Sequence, residues 1–217
     1  TASGTATGNV TILADRYWWA DASSFTVLKT SGHVVVESKA GQFSSGLNVG
    51  SVELRNHTFS GNASVRIGKA TNNTAITITG GSTNIVGDYT IYGSAIAQDA
   101  AVTTSAGSIL IDPNTTSVGS GALTASAGTV NISGGSSVAP TGAIRAFGTV
   151  TLSGTGAITN SGATLTSLAS SVDVTSRTST INMSAAISAA TTVSLTASST
   201  VTTSAAVSAG TGAVTIT

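Results

Sequence analysis

One spacing governs this chain. The apolar pairs Ile109/Ile111, Val130/Ile132, Val150/Leu152, Val172/Val174, Val193/Leu195 and Val214/Ile216 follow one another at steps of 21, 20, 22, 21 and 21 residues. A near-constant step of this size marks a repeat architecture in which each unit is one turn of a solenoid. Two further apolar beats recur inside each step: Val118 and Leu123, Val138 and Ile144, Ile158 and Leu165, Ile181 and Ile187, Val201 and Val207. Each first beat reads apolar, polar, apolar, as in "TVTLS" and "AVTIT". That alternation puts alternate residues on opposite faces of a half-buried strand. The gaps are filled by Gly, Ser, Asn and Ala, the residues that corners need.

One unit alone cannot bury its apolar face, but units stacked in register close a continuous core. The sequence therefore predicts an all-β fold: a right-handed parallel β-helix with three short strands per coil and about 21 residues per coil over residues 109–217. Residues 1–108 follow the same logic less strictly. Taking Val10/Ile12, Val34/Val36, Val52/Leu54 and Ile76/Ile78 as first beats gives steps of 24, 18 and 24. A further coil runs through Tyr89 to Gly107, with Ile91, Ile96 and Val102 as its beats. The expectation is one solenoid: less regular coils with aromatic and charged loops in 1–108, regular repeats in 109–217. The closing "AVTIT" reads as the opening strand of another coil, and so as a window onto a longer repeating chain.

Composition restricts what such a solenoid does. Charged residues are 7% of the chain, its formal net charge is +0, and Ser and Thr supply 72 of 217 residues. Neutrality removes the electrostatic basis for binding nucleic acid or an anionic membrane. No apolar run approaches the roughly 18 residues of a membrane span. Cysteine is absent, so no disulfide framework, thiolate metal site or cysteine nucleophile arises. A low-charge, Thr/Ser/Gly-rich chain of this kind fits an exported surface protein.

Chemistry-bearing residues are few and sit mostly in the first half. After Asp112 only Arg145, Asp173 and Arg177 carry charge. The aromatic cluster Tyr17, Trp18 and Trp19 either fills a wide cross-section or offers a sugar-stacking site. An enzyme on a β-helix would align carboxylates and cations along one outward row. Here that row is expected to run Thr11, Val35, Glu53, Thr77, Leu110, Asn131, Thr151, Asp173, Ser194, Thr215, without a paired carboxylate. Glu37, Arg55 and Arg66 could cluster by loop geometry, but charges in solvated loops are the favoured reading. Serine nucleophiles need a positioned base, and the two histidines, His33 and His57, stand in no recognisable nucleophile motif. The reading is that no catalytic residues, metal site or cofactor are present. Asn-x-Ser/Thr triplets at Asn9, Asn56, Asn62, Asn72 and Asn114 are candidate glycan acceptors on a secreted chain, while those at Asn131 and Asn182 fall in or beside predicted strands. Thr pairs such as Thr149/Thr151 and Thr215/Thr217 look like a ladder, interrupted by Glu53, Leu110 and Asp173.

The segments "YTIYGSAIAQDAAVTTSAGSILI", "GALTASAGTVNISGG" and "FGTVTLSGTGAIT" resemble filamentous-haemagglutinin-type β-strand-repeat proteins of bacterial surfaces. The resemblance implies a long exported protein, delivered by two-partner secretion or as an autotransporter, with adhesion, biofilm or surface-layer roles. The Asn-Pro-Asn motifs of the family's secretion domain are missing, leaving only Asp-Pro-Asn at 112–114, so the stretch reads as shaft. The leading expectation is a structural and adhesive module of a bacterial cell-surface or extracellular fibre. Its expected partners are neighbouring coils, other copies of itself, and host or matrix glycans. Alternatives are a self-assembling filament or surface-layer subunit, carbohydrate binding through Tyr17, Trp18 and Trp19, and a polysaccharide-cleaving enzyme.

Overall fold

The computed structural model describes residues 8–13, 15, 30–50, 54–55, 62–79 and 83–217. They form parallel strands stacked as a β-solenoid of about 8 turns, with no helix. Three ladders of strands run along it. The first stacks Val10, Val34, Val65, Tyr89, Ile109, Val130, Val150, Val172, Val193 and Val214 in direct register. The second stacks Leu47, Ile76, Ile96, Ser117, Val138, Ile158, Ile181 and Val201. The third runs Thr83, Val102, Leu123, Ile144, Leu165, Ile187 and Val207.

The expected alternation governs which side chains turn inward. Along Val172–Ser176 the residues alternate buried and half-buried, with Val172 and Val174 fully enclosed and Asp173 turned out. Valines, isoleucines and leucines from all three ladders meet along the axis in one unbroken core. Burial of each such side chain contributes about 1.5–3 kcal/mol, and every rung buries the one beneath it.

Two early assignments change. Ile76/Ile78 do not belong to the first ladder: they pair with Leu47/Val49 on one side and Ile96/Gln98 on the other, in the second. The first ladder instead passes through Val65/Ile67, so its early steps are 24, 31, 24 and 20 residues. The other change is at Val118. Ser117 is the inward residue, stacked between Ile96 and Val138, whereas Val118 is 46% exposed. Ile109–Gly119 is one long strand spanning the first and second ladders, and its register shifts between Pro113 and Thr116. Ser117 keeps the inward parity of Ile109, Ile111 and Pro113 across this irregularity, and Val118 falls on the opposite one.

The coil that opens at Tyr89 buries larger and more polar groups. Tyr89, 1% exposed, heads the first ladder of its coil and donates its hydroxyl across the core to Gln98 Oε1 at 3.1 Å. Gln98 Nε2 in turn donates to Ala100 O at 2.6 Å. The polar pair is thus satisfied internally, as burial requires.

Candidate functional site

On the outward face of the first ladder the side chains of ten successive rungs line up. Its described central row is Thr11, Val35, Arg66, Thr90, Leu110, Asn131, Thr151, Asp173, Ser194, Thr215. Arg66 and Thr90 stand where Glu53 and Thr77 were expected. Thr77 faces outward on the second ladder between Asn48 and Ala97, and Glu53 lies outside the described residues. The row still brings no two carboxylates onto neighbouring rungs.

Charge gathers at one place beside this row. The Glu37 carboxylate receives Arg66 Nη2 at 2.8 Å from the next rung and Lys69 Nζ at 3.5 Å from the corner that follows. Glu37 and Arg66 thus pair where solvated loops were the favoured expectation, and Lys69 joins them because the left-handed Gly68, at φ 80°, turns the chain sharply after Ile67. The Arg55 side chain lies outside the described residues. Arg66 and Lys69 remain about a third exposed, so each contact contributes at most about 1 kcal/mol. Chemically the cluster is a carboxylate already committed to two cations.

His33 offers the other polar contact of catalytic type. Its Nδ1 lies 2.6 Å from Ser64 Oγ on an exposed face, and its backbone N–H donates to Asn9 Oδ1. Asp88, on the same edge, serves structure: its Oδ1 accepts the Ser108 backbone N–H. Among the described hydrogen bonds, His33 pairs with Ser64 with no carboxylate on the imidazole and no oxyanion donors beside them. Among the described residues no three His, Asp or Glu side chains come together as metal ligands.

Two aspartates outside these clusters titrate in opposite directions. The Asp15 carboxyl is held below its usual range by the Ser38 hydroxyl and the Ala40 backbone N–H. Asp112 is pushed above its usual range by burial, on a rung beside Tyr92. A raised native pKa means the folded state holds the proton more tightly, so stability rises as pH falls through that raised value. Asp112→Asn is accordingly expected to melt slightly above the parent at pH 7, with the difference vanishing once acid has protonated Asp112. Paired melting curves from neutral to acidic pH test this, and a parent that melts higher at pH 7 would refute it.

The glycan acceptors divide. Asn9 and Asn114 are exposed. Asn62 and Asn72, expected as acceptors, are instead buried at 0% and 1% exposure. Asn62 Oδ1 accepts Thr30 N, and Asn72 Nδ2 donates to Thr74 O and Tyr92 O while its Oδ1 accepts Phe43 N. A sugar on Asn72 Nδ2 would break the corner those bonds hold. Asn56, Tyr17, Trp18 and Trp19 lie outside the described residues.

The buried asparagines form a class that sequence reading missed. Asn160, fully buried, saturates its amide at a corner: Nδ2 donates to Ala163 O and Ala185 O, and Oδ1 accepts Ser184 N and Ala185 N. The signal was available in parity, since Asn160 follows inward Ile158 by two residues. No family model, curated protein or solved structure matches this chain.

Proposed function

We propose that this chain is a structural and adhesive shaft module of a bacterial cell-surface or extracellular fibre. The observation that carries the reading is the unbroken first ladder, which keeps one register from Val10 to Val214. A core continuous along one axis, closed by inter-rung backbone hydrogen bonds, resists bending and spaces its two ends at a fixed separation. The likeness of its repeats to filamentous-haemagglutinin-type proteins and its low charge agree with an exported fibre. Its polar groups are mostly hydroxyls, and the carboxylate of its charged cluster is committed to Arg66 and Lys69, which favours a spacing role over catalysis.

Because the chain has no cysteine, Thr11→Cys with Thr215→Cys places two unique spin labels on exposed positions of one outward row. Nine inter-rung steps of about 4.8 Å predict a narrow distribution of backbone separations centred near 43 Å. Deleting residues 172–192, one coil in register, shortens it by about 5 Å with the fold kept. A broad distribution, or loss of the fold on deleting one coil, would sink the shaft reading.

A further inference from the structure

The threonine pairs of the sequence belong to a wider array. On the rungs headed by Val130, Val150, Val172 and Val193, the residue before the valine and the first and third residues after it face outward, in three columns and in direct register. Ten of those twelve positions are Ser or Thr, the exceptions being Asn131 and Asp173. Arg66 holds the place expected for Glu53, and Leu110 lies one rung before the array begins. Of the three interruptions expected from the sequence, only Asp173 therefore stands inside it.

Most of these hydroxyls are unpaired. Those of Thr129, Thr149, Ser171 and Thr196 have protein partners. The other six, with Thr151 and Ser194 at the centre, have none among the described residues. Asn131 Oδ1, enclosed on the same face, also finds no protein donor. A polar atom so placed takes its hydrogen bond from ordered water.

The array repeats in two directions, by about 4.8 Å from rung to rung and by about 6.6 Å between alternate residues of a strand, and both repeats lie within about a tenth of the oxygen spacings on a prism face of hexagonal ice. Every parallel sheet has these spacings. Here hydroxyls occupy them in both directions, on four rungs whose outward positions hold no aromatic ring and no cation. A bound polysaccharide would call for a ring to stack on or a cation for its acids, whereas a crystal face calls for a two-dimensional match. We propose that this face binds ice, through a water layer whose spacing continues into the crystal. Inter-rung backbone bonds fix the hydroxyls in advance, so little order has to be created on binding. The inference goes beyond the shaft reading and is tested apart from it, because a rod spaces its ends whether or not one face holds ice.

Nanolitre osmometry of the full chain should show a gap between melting and freezing temperatures that widens with protein concentration, and the chain should be taken up into a slowly grown ice hemisphere. Thr151→Lys/Ser194→Lys, at two outward positions, should lose both properties while keeping the β-type circular dichroism spectrum. Thr124→Lys, outward on the third ladder, should keep both. Asp173→Thr removes a strongly hydrated carboxylate from the middle of the array and should widen the gap. A parent without a gap and excluded from ice overturns the inference. So does an undiminished gap in Thr151→Lys/Ser194→Lys, an equal loss in Thr124→Lys, or a gap that Asp173→Thr fails to widen.

Discussion

Asn160→Leu is expected to destabilise the chain by on the order of 4 kcal/mol, although it makes the interior more apolar. The amide serves four backbone groups at one corner: the carbonyls of Ala163 and Ala185 and the N–H groups of Ser184 and Ala185. Leucine answers none of them, and each buried group left unsatisfied costs about 1–3 kcal/mol. Partial entry of water at the Ser184–Ala185 turn brings the sum below the maximum. The comparison that makes this decisive is Leu152→Ala, a fully buried cavity variant on the first ladder, for which about 2–5 kcal/mol is usual. Urea denaturation midpoints for the two variants should fall by similar amounts. An Asn160→Leu midpoint equal to the parent's would show that the amide does not organise the corner.

The second large effect concerns how closely rungs approach. A Cβ on Gly156 would stand 1.8 Å from Ser136 O, a backbone atom of the rung below that cannot swing aside. Gly162 presents the opposite case: it is left-handed at φ 88°, but the nearest atom to its added Cβ is Thr141 O at 3.7 Å. Alanine at Gly162 therefore meets only the backbone penalty of about 1–2 kcal/mol. Alanine at Gly156 forces two rungs apart and breaks the inter-rung bonds of that corner, among them Thr155 N to Gly135 O at 2.9 Å. Its loss should exceed that of Gly162→Ala by a clear margin, within the range of severe core substitutions above about 4 kcal/mol. Thermal melts of the two alanine variants against the parent test the ordering, and the reverse ordering would mean the rungs can separate locally at little cost.

How far the sequence could be read depended on how evenly its coils are cut. From Ile109 onward the step stays at 20 to 22 residues, so the apolar beats predict the inward residues of all three ladders apart from Ser117. There hydrophobicity pointed to Val118, whereas the alternation begun at Ile109, Ile111 and Pro113 leads to Ser117. Before Ile109 the steps vary, and apolar-polar-apolar triplets of different ladders look alike. Ile76/Ile78 therefore could not be told from a first-ladder strand until their partners were known. The polar residues were the least legible. Asn72 and Asn62 carry the letters of a surface modification motif, yet they cap buried corners, because an amide matches both donor and acceptor demands of a turning backbone. Lys69 reached Glu37 through a turn at Gly68 that local sequence signals only weakly.

The evenness of the later coils has a mechanical side. Each rung occupies about 4.8 Å of rod but stores 20 to 22 residues, which when drawn out span about 70 Å of contour. Load along the axis that frays an end would release chain in nearly equal quanta, each lengthening the tether more than tenfold relative to the rod it consumes. The remaining rungs keep their register as this happens. A spacer of the proposed kind would thus also extend in graded steps, yielding coil by coil under strain.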